Sequence, residues 1–388
     1  MVFSVGVISL ILFLFWFAMF LLHWRGLKLV PELPMERGAI STAPLLSIII
    51  AAKDEEKSIV QTLESLINQK YENVEIIVVN DRSTDNTAIN IEKFIKGINS
   101  GCSNQKVKVI HIDELPVGWL GKNYALFQGY LRSSGDYLLF TDADILFSPD
   151  TIGSAMAFFQ KNKVSHLTLL PYLKSQQFWL RGFIHLFIFS LYLSKWPWKS
   201  NDDRQTQHGI GVGAFNLISR QAYEKIGTHK GIALRPDDDL QLGMNVKKNG
   251  LKQRVLVGKN YIEVEWYRSF SAMLKGLEKN IYAGLDYSLF KLFCVILGML
   301  VFYIFPFLGL GFLDGWLAVV NGVSILLILI LYLIYTRKLF KEWGYDVLFF
   351  PINVILLIYV FIRSCLITIY SGGISWRGTF YSLKELKK

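Results

Sequence analysis

The segment GDYLLFTDADILFSPD (135–150) ends a run of Leu and Phe on two aspartates, Asp142 and Asp144, one alanine apart. A strand entering a core gains nothing from carboxylates at its exit. Two such side chains on a turning chain can, however, reach one small oxygen-seeking cation. Mg²⁺ or Mn²⁺ suits oxygen ligands, and Mg²⁺ is commonly held by one or two carboxylates plus substrate phosphates. Acids recur at neighbouring places: Asp54, Glu55 and Glu56 follow LLSIIIAA (45–52), and Asp81 closes VEIIVVND (74–81). Asp favours turns and caps, but carboxylates gathered on one edge repel unless a cation or a donor-rich ligand sits among them. A second group, Asp237, Asp238 and Asp239, opens a helix in LRPDDDLQLGMNVKKNG (234–250), with Leu240, Met244 and Val246 able to face a core. One Asp there satisfies the helix dipole, worth up to ~1 kcal/mol. Three exceed that need, and one carboxylate could serve as a general base.

The elements that must position these acids alternate. LLSIIIAA (45–52), VEIIVVND (74–81), VKVIHI (107–112) and DYLLFTDAD (136–144) read as buried strands, and amphipathic segments follow the first three. The spacing of STDNTAINIEKFIKGI places Ser83 or Thr84 at a helix N-cap. This alternation over about residues 45–285 predicts an α/β domain with a central, mostly parallel sheet. Ligands of such sheets collect beyond the carboxyl ends of the strands, where the acids fall. No Gly-rich phosphate loop follows the first strand, which argues against dinucleotide dehydrogenases and P-loop enzymes. No Ser/His or Cys/His pairing demands a covalent nucleophile.

Only 19% of the 388 residues are charged and 52% are hydrophobic, against about a quarter charged in soluble proteins. The charge-free run from Val5 to Leu22 has the length of a bilayer crossing. Arg25 and Lys28 come after it, and no small-residue cleavage site is visible, so residues 1–24 read as a retained anchor. The positive-inside rule puts the chain beyond it in the cytoplasm. Three further apolar segments, 289–313, 316–335 and 347–370, make a C-terminal membrane region over 289–370, with a tight turn at Asp314 and Gly315. The basic loop TRKLFKEWGYD agrees with that orientation, whereas the basic tail 371–388 would end outside after three full crossings. Either one segment is re-entrant or interfacial, or the tail breaks the rule. The net charge of +10 is dispersed and partly juxtamembrane, pointing to anionic lipid and away from nucleic acid. Cys102, Cys294 and Cys365 show no metal-binding spacing, and the latter two read as structural thiols.

Taken together, IIIAAKDEEKSI, IIVVNDRSTDNT, GWLGKNYALFQG, LLFTDADILFSP, GVGAFNLISRQAYEKIG and DDDLQLG resemble, in order over residues 45–250, the motifs of membrane-anchored, inverting family-two glycosyltransferases with a GT-A domain. The resemblance implies an α/β, GT-A nucleotide-diphospho-sugar transferase domain over 45–285, flanked by transmembrane helices. Residue by residue, it implies that Ala51, Glu55 and Asp81 line the base and ribose and that Lys122 contacts nucleotide or phosphate. Asp142 would approach the ribose or metal, and Asp144 would bind a divalent metal, Mg²⁺ or Mn²⁺, on the diphosphate. Asp239 is implied as the base that deprotonates the acceptor hydroxyl. Asp238 stands where the family often has Glu, and Asp237 competes for the base role if the alignment slips by one. Such a base opposite a departing nucleoside diphosphate gives inversion in one displacement, and a cation stabilises the charge that develops.

Two departures narrow the reading. AAKDEE replaces the family's Pro-x-Asn-Glu, and 269–284 lacks the Gln-x-x-Arg-Trp motif of processive polysaccharide synthases. GWLGK, QHGIGVG and SWRGTFY look instead like the branch that glycosylates carotenoids, hopanoids or related lipids. FWLRGFIHLFIFSLYLSKWPW (178–198), with Trp179, Trp196 and Trp198, reads as an interfacial helix that presents a lipid acceptor; a buried structural helix is the alternative. His208 is a candidate acceptor-pocket residue. The expected partners are a nucleotide-sugar donor, a hydrophobic lipid acceptor and the membrane, with the catalytic domain on the cytoplasmic side of a multi-pass cell-membrane protein. Polyprenyl-phosphate glycosylation and polysaccharide synthesis are related alternatives, and a transport or scaffold protein is the non-enzymatic one.

Overall fold

Apolar runs without polar alternation form the middle of the main sheet, as strands covered on both faces do. The computed structural model describes residues 2–35, 43–99, 107–376 and 379–386, so Cys102 lies outside the described residues. The chain divides into an α/β unit, Val30–Leu173 with Pro197–Glu265, and a helical unit, Met1–Leu29 with Lys174–Trp196 and Trp266–Lys388. The α/β unit carries β1 (Leu46–Ala52), β2 (Val74–Asp81), β3 (Val107–Ile112), β4 (Tyr137–Asp142), β5 (Leu146–Phe147), β6 (His166–Leu170), β7 (Tyr172–Leu173), β8 (Asn216–Ser219), β9 (Gln253–Val257) and β10 (Ile262–Val264). Seven of them pair in the order β3-β2-β1-β4-β8-β6-β9, parallel except that β8 runs against both neighbours. β5, β10 and β7 form a smaller sheet. With β4 at the centre and β1 beside it, Ala51 lies opposite Asp142 in the β1–β4 register.

Helices follow the first three strands. Ile59–Ile67 buries Ile59, Thr62, Leu63 and Leu66, the i, i+3, i+4, i+7 stripe of a core-facing helix. The helix after β2 begins at Thr87, later than the sequence spacing placed it. Its entry belongs to Asp85, whose Oδ1 accepts the Thr87 N–H at 2.9 Å. Ser83 and Thr84 turn instead to the loop after β1. The Ser83 hydroxyl accepts the Asp54 N–H at 3.1 Å, and Asp54 Oδ1 accepts the Thr84 N–H at 2.7 Å. Asp54 and Arg82 both hold left-handed φ values, 54° and 53°, a conformation non-glycine residues adopt only where their surroundings enforce it.

At the opposite end of the sheet, Glu75 is buried and accepts the Ser134 N–H at 2.6 Å, the Ser47 hydroxyl at 2.7 Å and the Ser134 hydroxyl at 2.8 Å, with Lys108 Nζ at 3.2 Å. Burial, the largest influence, pushes its pKa up. These donors together outweigh it and hold the carboxyl at about 2.

Among the described residues, the helical unit contains four helices long and apolar enough to cross a membrane: Ser4–Lys28, Leu289–Phe312, Trp316–Leu339 and Tyr345–Tyr370. Backbone and polar groups at such depth must find partners inside the protein, and several do. Pro306 has no N–H to give the Phe302 carbonyl four residues back. Around it the helix widens into a π turn over Met299–Ile304, and Trp16 Nε1 donates to Phe302 O at 2.9 Å. Asn321 Nδ2 donates to Ser9 Oγ at 2.9 Å, and His23 Nδ1 lies 2.7 Å from Tyr335 Oη. The helix Phe178–Lys195 belongs to this unit, where His185 Nδ1 meets Asp346 Oδ1 at 3.1 Å. The tail forms a hairpin of β11 (Gly373–Trp376) and β12 (Thr379–Ser382).

Candidate active site

Lys122, Asp142, Asp238 and Asp239 line one pocket of the α/β unit, together with Gly213, Asn216, His229 and the apolar Leu126, Phe140 and Leu242. Asp142 arrives as the last residue of β4. Lys122 arrives on the first turn of the helix Gly121–Leu131 and reaches Asp142 Oδ1 at 2.8 Å and Asp238 Oδ2 at 3.5 Å. That helix is placed by two contacts. A Cβ at Gly121 would collide with the Asp81 carboxylate, so glycine alone permits the approach to β2. Buried Asn123 then spreads its amide over the carbonyls of Ile232 (2.9 Å), Ala233 (3.1 Å) and Arg235 (3.0 Å), tying the helix to the loop that leads into the three aspartates.

The acids divide the work. Asp237 is turned to Arg235, whose Nε and Nη2 each donate at 2.9 Å, and to Gln241 Nε2 at 2.8 Å, and it does not line the pocket. Asp238 and Asp239 begin the helix Asp238–Lys248. That helix buries Leu242, Gly243 and Val246, while Leu240 and Met244 are half-buried, so its core stripe sits beside the one read from the sequence. Asp239 is oriented by two backbone donors, Gly213 N–H to Oδ2 and Leu240 N–H to Oδ1, each at 2.7 Å. Asp238 is the deeper of the two and holds Lys122.

Burial raises the pKa of Asp238 most, against the pull of Lys122, and Asp239, Asp142 and Asp237 push the same way. Asp239 is likewise raised by burial and then by Asp142, against Lys122 and its two backbone donors. For Lys122, burial lowers the pKa, but Asp142, Asp238 and Asp239 outweigh it and keep the ammonium charged. A half-buried carboxylate with raised proton affinity, fixed by backbone donors beside a permanent cation, has the properties of a general base.

The segment 209–213 carries a device that residue types alone did not reveal. Gln253 clamps Ile210 through both its groups, accepting the N–H at 3.1 Å and donating to the carbonyl at 2.9 Å. Its Nε2 lies 2.8 Å from Nδ1 of buried His166, whose Nε2 lies 3.1 Å from Asn216 Oδ1. Burial lowers the His166 pKa to about 4, so the ring in this network is neutral near pH 7. The alternate glycines of HGIGVG let this strip lie against the 238–248 helix: a Cβ at Gly211 would meet the Asp239 carbonyl, and one at Gly213 would stand 2.5 Å from Asp142 Oδ2.

The remaining sequence candidates are placed as follows. Ala51, next to last in β1, lies beside Asp142, and Asp81 ends β2 with Arg82 Nε at 2.8 Å. Glu55 lies in the loop after β1, where its N–H donates to Thr87 Oγ1 at 2.7 Å and its carboxylate accepts from Ser58 at 2.9 Å. Asp144 is half-buried in the turn between β4 and β5. His208 is half-buried, and its carbonyl accepts from Ser200 Oγ at 2.7 Å. Trp179 belongs to the helical unit, 53% exposed, with its ring 4.7 Å from that of Phe349. Ala51, Glu55, Asp81, Asp144 and His208 are not among the pocket-lining residues. Among the described residues, no group of three or more His, Cys, Asp or Glu could by itself hold a metal ion. Asp142 and Asp144 offer only hard oxygen donors, which fits a divalent cation whose shell is completed by a ligand's phosphates.

Residues 47–227 match the family described as Glycosyl transferase family 2. The chain is 26% identical over 351 residues to the 4,4'-diaponeurosporenoate glycosyltransferase of Staphylococcus aureus strain MRSA252, covering 88% of this chain and 89% of the relative. The same identity and coverage hold for that of strain USA300. Among solved structures, the mannosyltransferase PcManGT from Pyrobaculum calidifontis, in complex with GDP-Man and Mn²⁺, is similar with a TM-score of 0.55 and 15% identity, covering 95% of this chain and 99% of that one. That likeness shows a shared GT-A fold.

Proposed function

The chain carries a family 2 glycosyltransferase domain, and on that premise we propose that it transfers a sugar, with inversion, from a nucleotide-sugar donor to a hydrophobic lipid acceptor. The observation that carries this reading is the meeting of Lys122, Asp142, Asp238 and Asp239 in one pocket beside the end of β4. The similarity to carotenoid glycosyltransferases over most of both chains, and the four apolar helices, support an acceptor held in a membrane. Ala51 and Asp81, at the ends of neighbouring strands, and Glu55, in the loop after β1, would face the base and ribose. Lys122 stabilises negative charge on the departing diphosphate. Asp239, held by Gly213 and Leu240, removes the proton of the attacking acceptor hydroxyl, and Asp238 keeps Lys122 in position. A divalent cation on Asp144 and Asp142 would add charge neutralisation at the same phosphates. Trp179 and His208 are our candidates for contact with the acceptor. Arg25 and Lys28 in the last turn of the first span, and Arg337, Lys338 and Lys341 at and just beyond the end of the third, support a cytoplasmic catalytic domain.

The test is release of nucleoside diphosphate from a panel of nucleotide sugars by purified protein in detergent, with lipid extract and Mg²⁺ or Mn²⁺ present. Wild-type protein should turn over at least one donor and stop when the metal is chelated. Asp239→Asn should lower turnover by about 10²–10⁴-fold, the usual range for loss of a general base, and leave donor binding intact. Silence across the panel would remove the transferase reading. Loss of donor binding in Asp239→Asn would move that residue out of the base role.

A further inference from the structure

Most groups in the pocket have roles in the reading above, but His229 has none. Its ring is 2% exposed, lines the pocket and packs edge-on to Phe140 with ring centres 4.9 Å apart. Nδ1 lies 2.6 Å from Tyr223 Oη, and that oxygen also receives the His229 backbone N–H at 3.0 Å. A backbone N–H can only donate, so it occupies a lone pair of the phenol. The Tyr223 hydroxyl is fully buried, and Nδ1 is the one acceptor within its reach among the described residues. The phenol proton therefore points at Nδ1, and a neutral imidazole so engaged carries its own proton on Nε2. The ring is neutral, because burial and then the charge of Lys122 lower its pKa to about 3. Nε2 has no hydrogen-bond partner among the described residues, and with Nδ1 turned to Tyr223 it is the edge left to the pocket. An N–H on the pocket wall with no partner in the protein is open to an acceptor that a bound ligand brings.

The occupant follows from the rest of the lining. Asp142, Asp238 and Asp239 outnumber the single cation Lys122, which suits neutral hydroxyl donors better than a further phosphate. Leu126, Phe140 and Leu242 supply apolar surface of the kind that packs against the C–H face of a sugar ring. We propose that His229 is a specificity-determining residue whose Nε2–H donates to one hydroxyl oxygen of the donor's sugar. This rests on the reading of the protein as a nucleotide-sugar transferase.

The experiment measures binding of UDP- and GDP-hexoses, their epimers and deoxy analogues, and bare UDP and GDP, to full-length protein in detergent. For the best donor, His229→Leu should weaken nucleotide-sugar affinity by roughly 10–100-fold, the effect of one unmade hydrogen bond to a buried site. Affinity for the bare nucleoside diphosphate should stay at the wild-type value. One deoxy analogue that wild type rejects should bind His229→Leu as well as the parent donor does. His229→Gln, which keeps an N–H donor, should recover part of the discrimination, and Tyr223→Phe, which releases Nδ1, should lose part of it. These two milder variants decide the matter if His229→Leu does not fold. Equal loss of sugar-nucleotide and bare-nucleotide affinity, or unchanged donor discrimination, overturns the assignment. A wild-type protein that binds no nucleotide sugar defeats the transferase reading and this inference together, whereas a wild type that binds one, with unchanged variants, defeats this inference alone.

Discussion

Two glycines show how narrowly the pocket is set at the scale of single residues. Gly213 does two things at once: its N–H fixes Asp239 at 2.7 Å, and its missing side chain admits Asp142, whose Oδ2 would stand 2.5 Å from a Cβ there. Gly213→Ala therefore must displace Asp142, Asp239 or the strip itself. A misplacement of about 1 Å at reacting groups costs on the order of 10²-fold in rate, so turnover should fall by about that factor with a much smaller change in melting temperature. Gly153 is the control, since nothing lies within 4 Å of a Cβ there and it sits inside the helix Thr151–Lys161. Gly153→Ala should leave turnover alone and add about 0.5–1 kcal/mol of stability, the difference in helix propensity. Activity assays and thermal melts on both variants make the comparison, and equal effects at the two positions would contradict it. The residue scale is also where the sequence was least informative. Asp142, Asp144, Asp238 and Asp239 stand out because repeated carboxylates at strand and helix ends need a reason. Gly213 and His229 do not stand out, because a close backbone approach and a neutral ring aimed at a pocket leave no spacing pattern. His229 meets Tyr223 across a turn six residues long, which no helical or strand period marks.

At the scale of elements, the strands that carry the acids were legible and those that hold them in place were not. β1, β2 and β4 are built on the apolar runs IIIAA, IIVV and LLF and end on Ala52, Asp81 and Asp142, so both type and position follow from burial on two faces. β6, β8 and β9 carry His166, Asn216 and Gln253 facing one another, a polar network inside the sheet that obscures the hydrophobic pattern of HLTLL, NLIS and QRVLV. The other end of the sheet depends on Glu75, which links β1, β2 and the turn before β4. Its folded pKa, about 2, lies below the ordinary 4.5. A depressed carboxyl contributes stability that is present above its unfolded pKa and is lost as pH falls through its folded one. The window is therefore from about pH 4.5 down to about pH 2, and the contribution at neutral pH is roughly 3 kcal/mol. Glu75→Gln should lower the neutral-pH melting temperature and flatten the melting curve's dependence on pH across that window. A variant that keeps the wild-type acid slope would show that other carboxyls carry it.

The whole molecule poses the question of where its basic tail lies, and packing within the helical unit supplies a testable expectation. Three full crossings after residue 285 would leave the tail on the face opposite to the basic loop at Arg337 and Lys338. The helix Phe270–Ala283 is 14 residues long, about 21 Å at 1.5 Å per residue, which is too short to cross. It leads directly into the span Leu289–Phe312, so its end marks the face from which that span starts. Late in the last long helix, Arg363 Nη2 pairs with Glu278 Oε1 at 2.9 Å and Ser364 Oγ donates to Glu278 O at 2.6 Å. Near the start of that helix, Asp346 is bound to His185 of the Phe178–Lys195 helix. Beyond the hairpin, Leu383 and Leu386 pack against a cluster of Tyr282, Tyr287, Leu292 and Cys365. Tyr282 and Leu292 flank the start of the first C-terminal span, so the tail returns to that starting face. We predict that the pair Leu289–Phe312 and Trp316–Leu339 goes across and back and that Tyr345–Tyr370, though long and apolar enough to cross, lies along the membrane face. Single cysteines in a background with the three native ones replaced test this in intact cells with an impermeant maleimide. Asp314→Cys, at the turn between the paired spans, should label from outside, while Lys338→Cys and Lys384→Cys should both label only after permeabilisation. Labelling of Lys384→Cys together with Asp314→Cys would instead make Tyr345–Tyr370 a full crossing and leave the tail as an exception to the positive-inside rule.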